Sequence, residues 1–184
     1  MATKSKDSNE TGTIEKISNA LGNMMPGGRT NATELLKADH DKVRELFEKV
    51  KSSEESRHPA LFERIKTELD VHTHIEETIF YPALIAGGDE ELVGIVREGI
   101  EEHRQVKMFL REIQALQDDS FKFEPKLKVL MEDVEHHADE EESDMFPKVR
   151  KQFESQELES LAARMEKEKR EYKKTLSASA GKRN

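Results

Sequence analysis

Apolar residues recur at steps of three and four along four stretches of this chain. The first carries Leu36, His40, Val43, Phe47 and Val50, and the second Ile65, Leu69, His72, Glu76 and Ile79. The third carries Leu92, Val96, His103, Val106, Leu110 and Ile113, and the fourth Leu127, Leu130, Val134, His137 and Glu141. That period is the signature of an α-helix with one buried stripe. Punctuation fits the same four helices. Asn31 and Glu34 are spaced as a capping pair for a first helix that runs to about Lys51. Pro59 suits the first turn of a second helix, which extends to about Ala86 before Gly87-Gly88 breaks it. Asp89 caps a third helix to about Gln117, residues 118–123 form a loop, and Pro125 falls in the first turn of a fourth helix ending near Phe153. Pro82 and Pro147 sit late in the second and fourth helices, where a kink is expected.

The stretches repeat. His72-Thr73-His74-Ile75-Glu76-Glu77 leads to Tyr81-Pro82, and 65 positions later His137-Ala138-Asp139-Glu140-Glu141-Glu142 leads to Phe146-Pro147. Each copy follows a helix with one histidine on its apolar stripe, His40 and His103. Two helical hairpins of one design predict an all-α fold, an antiparallel up-down-up-down four-helix bundle with pseudo-twofold symmetry. Outside it, residues 1–29 form an N-terminal tail, flexible and mostly disordered, with a short amphipathic segment at Ile14, Ile17 and Leu21. Residues 30–154 form the bundle. Residues 155–184 form a short fifth helix carrying Leu158, Leu161, Ala162 and Met165, capped by Ser155, and a tail from about Thr175.

Composition sharpens this. Apolar residues make up 34% of 184 and charged residues 38%, which long amphipathic helices satisfy and a sheet buried on both faces does not. A net charge of −9 argues against non-specific nucleic-acid binding. The absence of cysteine excludes disulfides, cysteine-zinc sites and thiol catalysis. No apolar stretch is long enough to span a bilayer, and none follows the N-terminus as a signal segment, so a cytoplasmic location and no membrane partner are expected.

Six polar groups interrupt the four apolar seams: His40, His72, Glu76, His103, His137 and Glu141. Histidine and glutamate four apart lie one turn apart on one helix face. A lone histidine on an apolar face is usually a hydrogen-bonded core residue, and a lone His-x-x-x-Glu is often a surface pair. Six such groups at similar depth on four helices need a common explanation, because an unpaired buried carboxylate is costly. A shared cation supplies one; a buried His–Glu network without metal is the alternative. Two six-coordinate ions offer about twelve positions, of which four imidazoles, two bridging carboxylates and a bridging oxide or hydroxide fill about ten. Iron suits this set best and manganese next. The open positions suit O2, peroxide or nitric oxide. His58 is expected in a solvent-exposed loop or as a cap. His74 lies about 200° around the helix from His72 and is expected at the surface or behind the ligands. His136 lies about 100° from His137, with Glu140 as its own partner four residues on. Glu77 and Glu142 are expected to reach outward, although either could orient a ligand histidine.

These motifs resemble the hemerythrin-like family with HHE cation-binding repeats. The likeness covers about Thr33 to Phe153 and rests on Ala38-Asp39-His40, His72-x-x-x-Glu76 with Phe80-Tyr81-Pro82, Glu101-Glu102-His103, and His136-His137-x-x-x-Glu141 with Met145-Phe146-Pro147. It implies a non-haem di-iron centre with the four histidines as terminal ligands and Glu76 and Glu141 as bridges. Two departures separate the chain from oxygen-carrying hemerythrins. Lys107 stands where those have a second histidine on the third helix, and the last acid is Glu at four residues rather than Asp at five. Both point away from reversible O2 carriage and toward iron or oxygen sensing, peroxide chemistry or iron handling. The expected function is binding or sensing of a small oxidant or iron. The alternatives are a catalase-like di-iron enzyme and a metal-free module whose N-terminal segment recruits a protein partner.

Overall fold

A computed structural model describes residues 30–116 and 119–180, and among these residues all regular structure is helical. The amphipathic segment read at Ile14–Leu21 lies outside the described residues. The first helix, α1 (Ala32–Lys51), opens on a reciprocal cap: the Asn31 side chain accepts from the Glu34 N–H, and Glu34 accepts from the Asn31 N–H. Such a cap contributes about 1 kcal/mol. A short 3-10 turn (Glu55–Arg57) leads into α2 (His58–Ile75). After it come a π turn (Glu76–Phe80) and α3 (Tyr81–Gly87). The second hairpin follows the same plan: α4 (Glu90–Gln114), α5 (Ser120–Glu140), a π turn (Glu141–Met145) and α6 (Phe146–Gln152).

A π turn immediately precedes each of Pro82 and Pro147, where the sequence predicts a kink. Proline has no N–H to give the carbonyl four residues back. The chain widens just before each proline, so that Tyr81 N–H reaches the Glu76 carbonyl and Phe146 N–H reaches the Glu141 carbonyl. Each π turn begins at a glutamate of the polar set, and such turns are often found at functional sites. A second difference is at α5, which starts five residues before Pro125 with Asp119 as its cap. The carbonyl that Pro125 leaves without its N–H partner is that of Phe121, a residue 87% exposed at the helix end.

The four long helices touch in a closed ring, α1 to α2 to α4 to α5 and back to α1. Their apolar stripes form two clusters. One gathers Leu36, Ile75, Phe80, Leu84 and Val96, and the other gathers Val43, Phe47, Leu69, Val106 and Val134. In every helix the polar residue of the stripe falls between its contributions to the two clusters, so the polar layer divides the core. The fifth long helix, α7 (Ser155–Ala180), is not short: with 26 residues it is the longest described, and it continues past Thr175. Leu158, Leu161, Ala162 and Met165 are buried as expected, against the cluster that holds Phe80 and Phe146. Its later turns pack on α1, α2 and the first π turn. No described helix is long and apolar enough to cross a membrane.

Candidate metal centre

All six groups of the polar layer are buried, and the structure brings them together. His40, His72, Glu76 and Glu141 form one group of converging ligand atoms, and Glu76, His103 and His137 form another that shares Glu76. The Nε2 atoms of His40 and His72 are 3.2 Å apart, and those of His103 and His137 are 3.1 Å apart. Glu76 Oε2 lies 3.1 Å from His72 Nε2 and 3.3 Å from His103 Nε2, spanning the two hairpins. Glu141 Oε2 spans them in the opposite sense, 3.2 Å from His40 Nε2 and 3.9 Å from His137 Nε2. These approaches are close, yet both oxygens of Glu76 and Oε2 of Glu141 have no hydrogen bond. The nitrogen and oxygen atoms of each group all lie within 4.8 Å of one another.

The outer faces of the imidazoles explain their orientation. Nδ1 of His40 donates to Glu142 at 3.0 Å, that of His103 to Glu77 at 3.0 Å, and that of His137 to Glu102 at 2.6 Å. A carboxylate can only accept, so each of these rings carries a proton on Nδ1 and turns its Nε2 inward. His72 Nδ1 faces Asp39 at 3.9 Å, just beyond hydrogen-bond reach. The rule is twofold: the acid before each first histidine serves the second histidine of its own hairpin, and the acid after each inner glutamate serves the first histidine of the other. Glu77 and Glu142 therefore do not reach outward; each takes the other orientation the sequence left open, against an imidazole of the polar layer.

Cations pin most of these acids. Arg44 and Lys37 hold Glu142, Lys107 holds Glu77 at 2.6 Å, and Lys169 of α7 grips Asp39. Hydrogen bonding from His103, against the upward push of burial, holds the Glu77 carboxyl down at about 2. Burial pushes Asp39 up, but His72 and Lys169 bring it down to about 2. Within the layer, burial and then the neighbouring Glu141 charge push Glu76 well above the usual carboxylate range. Glu141 falls below that range, because His137 and His40 outweigh its burial. Tyr81 donates to Glu141 Oε1 at 2.8 Å, and its ring stacks on His103. At the matching place Phe146 stacks on His40.

The remaining histidines stand apart. His136 is exposed and pairs with Glu140. His74 binds Glu168 at 2.7 Å and stacks on Tyr172, docking α7. His58 is buried, not solvent-exposed; its Nε2 caps the end of α1 at the carbonyls of Val50 and Ser53, and Nδ1 meets Glu124 at 2.7 Å.

A narrow recess, with a cavity volume of about 20 Å³, reaches the four imidazoles and is walled by Val43, Phe47, Leu69, Val106, Val134 and Thr73. It gives a small molecule a largely apolar approach to the polar layer.

Residues 31–149 match the family model described as the hemerythrin HHE cation-binding domain. The chain belongs to this family. Among solved structures, it is similar to the crystal structure of a hemerythrin HHE cation-binding domain-containing protein from Mycobacterium kansasii. The TM-score is 0.67 at 32% identity, over 79% of this chain and 89% of that one. An uncharacterized protein of Mycobacterium tuberculosis is 36% identical over 120 residues, 64% of this chain and 71% of that protein. A protein of Nostoc described as a DNA nickase is 26% identical over 172 residues, and this chain spans 48% of its length. Membership of the family supports cation binding by the domain.

Proposed function

We propose that this chain is an antiparallel up-down-up-down bundle holding a pair of non-haem iron ions, at which it binds or senses a small oxidant such as O2, peroxide or nitric oxide. His40, His72, His103 and His137 would be terminal ligands, and Glu76 and Glu141 would span the pair. One observation carries the reading. His103 and His137 both commit their Nδ1 protons to carboxylates, so their two Nε2 atoms meet 3.1 Å apart beside the buried Glu76 carboxyl, whose oxygens have no hydrogen bond. Imidazole nitrogens and carboxyl oxygens crowded in that way are what a bound cation uses, and this favours metal over a metal-free network.

The donor set fits iron. Imidazole and carboxylate together suit Fe or Mn, and a structural zinc site wants four ligands and no shared carboxylates. When bound, such a pair supplies redox chemistry and sites for a small ligand. The residues around it set the conditions: the outer acids fix the rings, Tyr81 supports Glu141, and the apolar recess limits access by water and large molecules. Lys107 is engaged with Glu77 rather than aimed at the centre, so it does not replace the histidine of the oxygen carriers. An ion with one protein ligand fewer keeps a more labile position, which supports sensing or peroxide chemistry over O2 carriage. The nicking described for the Nostoc protein is not carried over, since a net charge of −9 repels a phosphate backbone.

Adding peroxide to the iron-loaded protein tests the reading. A single change of visible absorption that then stops supports binding or sensing. Sustained oxygen release makes the chain a peroxide-consuming enzyme. No spectral response from an iron-loaded chain overturns both.

A further inference from the structure

Thr73 is 3% exposed, and its hydroxyl has no hydrogen-bond partner. A helical threonine normally gives its hydroxyl to the carbonyl four residues back. Its neighbours along the same stretch do so, Thr67 to Glu63 at 2.8 Å and Thr78 to His74 at 2.6 Å. Thr73 makes no such bond to Leu69, and it lines the recess that ends on the four imidazoles. Its counterpart in the second hairpin, Ala138, lines the same recess with a methyl group. Valine would fill the Thr73 space without leaving a polar atom unmet, so the hydroxyl destabilises the empty protein.

We propose that Thr73 is a positioning residue whose hydroxyl donates a hydrogen bond to a small ligand of the peroxide or azide class entering through this recess. Such a ligand carries a second accepting atom, and the Thr73 hydroxyl is the buried group on the recess wall with no hydrogen-bond partner of its own. The inference rests on the reading of the polar layer as an open metal pair. It makes the two hairpins unequal toward that ligand, with the donor on the first side only.

Azide is the probe, added to the iron-loaded full chain and followed by visible absorption. Thr73→Val is expected to raise the azide Kd about fivefold to tenfold, the loss of one hydrogen bond. Thr73→Ser, which keeps the hydroxyl, is expected to stay within about twofold of wild type. In the iron-free protein, Thr73→Val is expected to raise the melting temperature by about 2–4 °C, which a threonine with a structural partner would not do. Unchanged azide affinity in Thr73→Val, or a lowered iron-free melting temperature, overturns the inference. Iron-loaded wild type that binds no azide at all overturns the open metal pair, and this inference with it.

Discussion

The first hairpin and the second place histidine, histidine and glutamate in the same order, yet they surround them differently. Around His103 the second hairpin leaves room: Gly99, one turn earlier, faces the Tyr81 hydroxyl, which a Cβ there would meet at 2.9 Å. Around His40 the matching position is Leu36, which fills the core beside Phe146, a ring with no hydroxyl. Large residue with Phe and small residue with Tyr are complementary solutions of one packing problem. The outer acids differ too. Asp39 is gripped by Lys169 from α7, whereas Glu102 binds His137 closely and has no Lys or Arg partner among the described residues. The repeat thus sets the six polar groups, while the asymmetry lies in what touches them: the Tyr81 phenol on His103 and Glu141, the free hydroxyl of Thr73, and α7 with its Lys169 on Asp39.

The largest expected effect is symmetric. Glu76→Ala and Glu141→Ala should each lose both ions, measured by metal analysis after anaerobic loading; if either retained one ion, the halves would be separate sites. Without iron they should diverge. Glu76→Leu removes a buried polar group with no hydrogen bond and should raise the melting temperature, whereas Glu141→Leu loses the Tyr81 contact and should not.

The outer acids come next. Glu102→Gln should weaken iron affinity about 10- to 100-fold, as losses of a partner behind a metal-bound histidine do. Lys169→Met acts one step further out, through Asp39, and should cost less than about tenfold. Competition with a chelator of known affinity ranks the two, and a larger loss in Lys169→Met would reverse the expected order.

Tyr81→Phe makes the hairpins alike. It should cost about 1.5–3 kcal/mol in the iron-free protein, read by denaturant unfolding, for a hydrogen bond to an ionised carboxylate. Gly99→Ala should cost a similar amount by pushing the hydroxyl away. The two losses should not add, since both remove the same bond.

The smallest effect lies away from the centre. Burial pulls the His58 imidazole down, but Glu124 and the Ser53 and Val50 carbonyls outweigh it and raise it above its ordinary 6.5. A group raised on folding contributes stability that is present below its unfolded value and is lost as pH rises through the folded one. His58→Ala should therefore lower the melting temperature more at pH 5 to 6 than at pH 9, with iron content unchanged. Lost iron would tie this end of the bundle to the centre.

The four seams were readable because burial on a helix leaves a period in the chain, and the six interrupting groups were readable because they broke it. Their convergence followed from the repeat. The outer acids were harder. Glu77 and Glu142 sit about 100° around the helix from the inner glutamates, so on an isolated helix they point away. Only the neighbouring helix brings His103 and His40 to meet them. Gly99 and Thr73 leave no signal of their own, since a glycine in a helix or a threonine near a histidine acquires meaning from what packs opposite. Pro82 and Pro147 were visible, but a proline says that a bond is missing, not whether the helix bends or widens. The length of α7 was hidden because its later turns, from Glu166 onward, are charged and dock through Lys169, Tyr172 and Lys173 rather than through an apolar stripe.

The claim beneath the rest is that the polar layer is a seat for two ions. Anaerobic titration of the iron-free chain with ferrous iron counts them directly. The account predicts saturation at two irons per chain; saturation at one, or no tight binding, would contradict it.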